Sequence, residues 1–254
     1  MATPLVEAKD YTQGQFAALL YKVKSAGATM EEVLSGKRLL QVVASDDPSV
    51  PHFTRLVNEA KVVSTLSAVM SEAEAGKLLE NGQKCSVDHF GYRGSSFWLV
   101  RAGFTQKSHA PQLGPCYKEF EYLQDWDFED QPTKDSVLFC PPRLLPNSLS
   151  KSVAKQNALL AKLREKYELP AHFFKSFGEP SQLSGIILAN HNQTGERVPL
   201  NNLLARTDAC IRDSGYRLSL GRFGRGGLDC DVWRWGGGGL DNLGCFALGV
   251  VDLG

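Results

Sequence analysis

The chain has 254 residues, 28 Lys plus Arg against 28 Asp plus Glu, and 43% apolar and 22% charged residues. That length and apolar content allow a full buried core and exclude disorder as the main state. A formal net charge of zero removes any global field that would steer the chain onto nucleic acid or an anionic membrane, so either partner would need a local patch.

The opening residues, MATPLVEAKDYTQGQ, lack the basic start, apolar run and small-residue cleavage site of a secretory signal. No apolar run approaches the ~18 residues of a membrane span. The expectation is a cytoplasmic protein without a membrane partner. The cysteines, Cys85, Cys116, Cys140, Cys210, Cys230 and Cys245, form no C-x-x-C pair, and most are expected to be small buried apolar groups.

Phe16, Leu19, Leu20 and Val23 recur at helical spacing, and Thr29 with Glu32 has the pattern of a capping box for a short helix ending near Gly36. Phe53, Leu56, Ala60, Val63 and Leu66 predict a further helix. Ser71 with Glu74 predicts a last short one that stops at Asn81-Gly82. The expected division is a helical region over 1–83 and a sheet domain over 84–254.

From Ser95 the apolar period changes to two, and SSFWLVRAGF predicts a strand. CYKEFEYLQDWDFED predicts another, with Phe120, Tyr122, Trp126 and Phe128 on one face and Glu119, Glu121, Asp125, Asp127 and Glu129 on the other. Such a line of carboxylates suits a solvated face better than a cation site. PPRLLPNSLSKSVAKQNALLAKLREKYELP predicts a long helix, capped by Asn147 or Ser148 and closed by Pro170. Leu149, Val153, Leu160, Leu163 and Tyr167 lie on its apolar face, and Lys151, Lys155, Lys162, Arg164 and Lys166 on its outer face. After SGIILA, the segment NHNQTGERVP reads as a hairpin-like turn, and YRLSL, LDCDVWRW and LGCFALGVV as strands. The predicted class is α+β: a helical layer, then a mainly antiparallel sheet with one long amphipathic helix.

The tail, GRFGRGGLDCDVWRWGGGGLDNLGCFALGVV, invites three readings. A phosphate loop fails, because no G-K-[ST] is present and a strand pattern, not a helix, follows. Arg217, Arg222, Arg225 and Arg234 among Tyr216, Phe223, Trp233 and Trp235 are types that stack on bases and neutralise phosphates. Against that reading, Leu218, Leu220, Leu228, Cys230 and Val232 alternate as in a folded strand, and Asp229, Asp231 and Asp241 offset the charge. A glycine-turned meander closed by a buried strand fits best.

At these residues the chain resembles a group of uncharacterised small bacterial proteins. GERVP is followed by short strands, a W-x-W strand, a glycine turn and LGCFALGVV, and TMEEVLSG and PPRLLPNSLSKSVAKQNALL match their helix order. More distantly the tail is similar to the end of C-type-lectin-like and formylglycine-generating-enzyme-like domains, although it lacks their W-N-D calcium signature. The resemblance implies a sheet domain with a loop-rich binding face, and no activity.

Cys85, Asp88 and His89 lie close together in KCSVDHFGYRG, as a nucleophile with its base or a set of metal ligands would. Adjacency in sequence does not assemble a catalytic site, and no second ligand pair at matching spacing accompanies them. His109, His172 and His191 stand alone. Asp208, Asp213, Asp229, Asp231 and Asp241 would have to converge with Asn201 and Asn202 to form a site, and the polar stretch Asn190 to Asp208 is a loop that could line a ligand face.

The expected function is a non-catalytic module that binds a partner protein or a small polar ligand through C-terminal loops, with no cofactor and no metal. Arg222, Arg225, Trp233, Arg234, Trp235 and Asp241 are its expected contacts, tryptophan and arginine being common at hot spots. The alternatives are a hydrolase or transferase using Cys85, Asp88 and His89, and nucleic-acid binding through the arginine-rich turn and the Lys151 to Lys166 face.

Overall fold

The computed structural model describes residues 51–254 apart from 213–214 and 235–239. The helices expected around 16–23 and 29–36 lie outside the described residues, as does Trp235.

The apolar series from Phe53 to Leu66 is divided between two elements. Phe53–Arg55 is a strand, β1, paired antiparallel with β2, Phe97–Val100. The helix α1 starts only at Glu59 and runs to Leu66, with Asn58 as N-cap accepting from the Lys61 amide. An asparagine inside the series is a strong start signal, so only Val62 and Leu66 turn their faces inward from α1, while Phe53 and Leu56 are buried from extended chain.

The next helix, α2, spans Glu72–Phe90. Its capping box is as expected: the Ser71 amide donates to Glu74 Oε2 at 2.9 Å, and the Glu74 amide to Ser71 Oγ at 3.3 Å. It does not stop at Asn81-Gly82 but continues to Gly91, whose φ of 60° ends it. Gly82 is there for packing, since a Cβ would stand 2.7 Å from Cζ of Phe97. The expected boundary at 83/84 thus falls inside α2, and the described residues belong to one compact unit.

The first sheet has the order β1-β2-β3-β8, all antiparallel, with β3 at Ser136–Phe139 and β8 at Gly249–Asp252. Phe97, Val137, Phe139 and Val251 cluster with α1 and α2 residues on one face, while Trp98, Val100 and Leu138 join the other core. The strand expected over CYKEFEYLQD is absent. Tyr117–Asp125 is a 3-10 helix, in which Tyr117, Phe120, Leu123 and then Trp126 recur every third residue. The expected acidic strand face does not form, and Asp130 instead caps α3, Gln106–Leu113, accepting the Gln106 and Lys107 amides at 3.0 and 2.8 Å.

The long helix, α4, is Val153–Lys166 and starts at Ser152 rather than at Asn147 or Ser148. Ser148 is buried and otherwise engaged: its hydroxyl accepts the Cys245 amide, and its carbonyl accepts Gln156 Nε2 at 2.7 Å.

The largest revision concerns GEPSQLSGIILANHNQTG. Pro180–Thr194 is a helix, α5, buried from Pro180 to Asn190 except at Gln182, and NHNQTG is its last turn, ended by Gly195 in the left-handed region. It has apolar contacts all round because it lies between the first sheet and a second one. Leu183, Ile186 and Ile187 share a core with Phe53 and Trp98 of the first sheet and with Leu218 and Leu220 of the second.

The second sheet has the order β6-β5-β4-β7, where β4 is Leu204–Ile211, β5 Tyr216–Gly224, β6 Gly227–Arg234 and β7 Leu243–Gly244. β4 comes from LARTDACI, which the polar stretch before it disguised as loop. The closing apolar run is not one strand: β7 pairs parallel with β4, and after the buried Cys245–Leu248 the chain enters the first sheet as β8. The tail therefore joins the two sheets. The α+β class with mainly antiparallel sheets is as expected.

Candidate functional site

Of the expected tail contacts, the described residues place Trp233 in the core and Arg222, Arg225, Arg234 and Asp241 at the surface. Trp233 is 2% exposed, its Nε1 donates to the Leu218 carbonyl at 2.8 Å, and the Arg206 guanidinium stacks on its ring at 4.1 Å. It is a core residue of the β5–β6 pair. Arg222 lies at a bulge in β5, where its guanidinium meets Asp229 at 3.5 Å and Asp231 at 2.8 Å across to β6. Two facing carboxylates leave it little charge to offer a phosphate. Arg225 is exposed at the two-residue turn, Arg234 packs over the Tyr216 ring, and Asp241 accepts from Ser150 Oγ.

Cys85, Asp88 and His89 lie on α2, His89 in its last turn. Cys85 is fully buried in the core beneath the first sheet, and burial pushes its thiol up to about 12. A thiolate nucleophile requires the opposite shift. Burial, then Lys166, lowers His89, and Asp88 is exposed. Among the described residues, no group of three or more His, Cys, Asp and Glu side chains is placed to hold a metal ion.

Two outcomes follow from the cysteine environments. In native protein a thiol probe is expected to label Cys210, which is exposed, rapidly, and Cys85 and Cys245 only as fast as the chain unfolds. Burial holds the Cys85 and Cys245 thiols up at about 12, against 9.0 for an ordinary thiol. Between those values the unfolded chain has lost protons that the folded one keeps, so stability falls as pH rises above about 9. Thermal midpoints measured between pH 8 and pH 10 check this; a flat profile would count against the buried thiols.

A cavity of about 470 Å³ is an open groove between α1, α2 and the Tyr92–Ser95 segment. Asp88 lines it, as do the exposed Val57 and Val87. Its polar side chains stand in solvent or pair with each other, as Gln83 Nε2 does with Glu59 at 2.9 Å.

A smaller cavity, about 260 Å³, has a different character. It lies at the N-terminus of α5, between the 131–134 segment and the ends of β3 and β8, and Lys134, Glu179, Ser181, Gln182 and Asp252 are among its walls. The local sequence builds it: Glu179-Pro180-Ser181-Gln182 is a helix start, with proline at the first turn and the Glu179 amide donating to Gln182 Oε1 at 3.1 Å. Ser181 is 1% exposed, and its hydroxyl has no hydrogen-bond partner. Buried hydroxyls are nearly always bonded.

Glu179 is half-buried, and burial first, then the neighbouring Asp208 carboxylate, raises its carboxyl above the ordinary value. Asp208, on β4, is itself raised by burial, although the Phe177 and Gly178 amides hold it down, the latter from 2.9 Å. Arg217 on β5 donates to the Asp208 carbonyl. The second sheet thus supplies the charges behind Glu179. Of the expected aspartate convergence, Asp208 reaches this cavity's surroundings, Asp229 and Asp231 face Arg222, and Asp213 lies outside the described residues.

A raised carboxyl costs stability at neutral pH, because folding then opposes ionisation. Glu179→Gln is expected to raise the thermal midpoint at pH 7 and to leave it unchanged below the ordinary carboxylate range of about 4. An equal effect at both pH values would show that the change is not electrostatic.

Among the described residues, no helix is long and apolar enough to cross a membrane. No protein-family model, no curated protein and no solved structure matches the chain.

Proposed function

We propose that this chain is a non-catalytic binding module for a small polar ligand, taken at the N-terminus of α5. The observation that carries the reading is Ser181, a residue of the wall of a polar cavity that is 1% exposed and whose buried hydroxyl has no partner. A buried polar group left unbonded costs about 1–3 kcal/mol, and a ligand that bonds to it recovers that cost on binding. The half-buried Glu179 carboxyl beside it adds a second directed group, and rigid elements hold both. About 260 Å³ suits an occupant smaller than drug-sized ligands, whose pockets run to about 300–1,000 Å³. The raised thiol of Cys85 and the buried Trp233 weigh against the nucleophile and the tail as alternatives.

The test is a titration of the isotope-labelled full chain with small neutral, cationic and anionic polar fragments, followed by amide resonances. The reading expects shifts concentrated at residues 131–134 and 179–182 that vanish in Ser181→Ala. No shifts, or shifts elsewhere that survive this substitution, would overturn it.

A further inference from the structure

The chemistry of the same cavity points to a class of ligand, and this step rests on the binding reading above. Glu179 and Asp252 bring two carboxylates to the wall, and Lys134 is the cation there. Behind Glu179 stand Asp208, Glu129 and Asp130, opposed by Arg217. The N-terminal end of α5 adds a partial positive charge of about one half. Five carboxylates against two cations and this partial charge leave the cavity's surroundings net negative.

Some of these groups are already engaged. Asp130 caps α3, Asp208 takes the Gly178 amide, and Gln182 Oε1 takes the Glu179 amide. The Thr133 hydroxyl donates to the Arg101 carbonyl, and the Ser136 hydroxyl to the Lys134 carbonyl. The Ser181 hydroxyl is left, and near it in the cavity wall the Glu179 carboxylate, which takes the Gln182 amide in the capping box and has further lone pairs to offer.

We propose that the cavity takes a small primary amine, its ammonium held by the Glu179 carboxylate and the Ser181 hydroxyl oxygen. An ammonium is a compact charge with three donors and no acceptor, so it suits a wall that holds the Glu179 and Asp252 carboxylates in net negative surroundings. A divalent metal ion suits it less, because no three acidic, histidine or cysteine side chains among the described residues are placed to coordinate one. An amine also relieves the mutual repulsion of Glu179 and Asp208. Its affinity falls on acidification, since protonating Glu179 removes the charge that the ammonium faces.

Serinol, glycerol and glycerate share a three-carbon backbone and carry an ammonium, a hydroxyl and a carboxylate respectively, which makes them the probes. Each is titrated into the full chain at pH 7 and followed by calorimetry and by the amide resonances of Glu179, Ser181 and Gln182. Serinol is expected to bind about tenfold or more tightly than glycerol, as a charge-assisted hydrogen bond provides. That preference should disappear in Glu179→Gln, and all serinol binding should weaken in Ser181→Ala.

Equal binding of glycerol, or preference for glycerate at the same amides, would overturn the amine assignment and leave the polar-ligand reading standing. Binding of none of the three, or binding indifferent to both substitutions, would overturn both. Glu179→Gln keeps the helix start and Ser181→Ala removes one atom, and a thermal midpoint measured on each variant shows that a loss of binding is not a loss of fold.

Discussion

Trp233→Ala is expected to lower the thermal midpoint by on the order of 10 °C, and so to behave as a folding variant rather than a binding variant. Truncating a buried tryptophan costs about 3–5 kcal/mol through lost burial and the cavity left behind. Here the ring also supports Arg206, which is 1% exposed, donates to the Lys151 carbonyl at 3.1 Å and lies 4.1 Å above the indole. A desolvated cation over an aromatic face is worth about 2 kcal/mol, and without the ring the guanidinium stays buried over a void. At about 2–4 °C per kcal/mol for a domain of this size, the midpoint shift is large. Trp233→Phe keeps a ring and loses the indole donor to Leu218, whose carbonyl still accepts from Thr207 Oγ1 at 2.9 Å; it should cost only about 1 kcal/mol. Thermal unfolding of both variants checks the ranking. A Trp233→Ala midpoint close to that of the parent would remove Trp233 from the core and return it to the list of contact residues.

Gly221→Ala is expected to destabilise by about 3–4 kcal/mol, near the top of the range for single substitutions. Gly221 on β5 faces Leu204 on β4. A Cβ would stand 2.0 Å from the Leu203 carbonyl oxygen and 2.8 Å from Leu204 Cα. Both are backbone atoms, so no rotamer change relieves the contact; the strands must part. Parting them stretches the bonds from the Arg222 amide to the Leu203 carbonyl at 2.8 Å and from the Phe223 amide to the Leu200 carbonyl at 3.1 Å. Gly224→Ala on the same strand is the control, because its nearest neighbour would be 3.7 Å away, and it should cost no more than about 1 kcal/mol. Denaturant midpoints of the pair separate a steric cause from the general cost of replacing glycine; equal midpoints would contradict the close approach.

Both residues sit in the tail that dominates a first reading of the chain, and both serve the fold. Glycine, arginine and tryptophan in one stretch satisfy the composition of an interaction surface. Here Gly221 admits a neighbouring backbone, Arg222 is matched by two aspartates, and Trp233 carries the buried Arg206. Side-chain type alone does not distinguish these uses, because each depends on what lies across the sheet.

What the chain determined by itself is local. Ser71 and Glu74 start α2 wherever the helix packs, since each bonds only to the other. The two-residue turn at Arg225-Gly226, the helix α4 and the antiparallel β5–β6 pair follow from period and turn chemistry within a few residues. The class α+β follows from their sum.

What only the tertiary structure decided is wherever burial is complete or partners are distant. SGIILA has no polar face to mark it as helix, because both faces of α5 are covered by sheets, so its apolar run carries no period. LGCFALGVV reads as one strand, but its halves pair with β4 and β3, elements some forty and one hundred and ten residues upstream. The candidate cavity joins residues 131–136, 179–182 and 250–252, which no local pattern connects. The one local trace of it was Glu-Pro-Ser-Gln, a helix start whose helix is hidden by its own burial; the charge behind Glu179 comes from β4, β5 and the 129–130 segment, which only folding brings there.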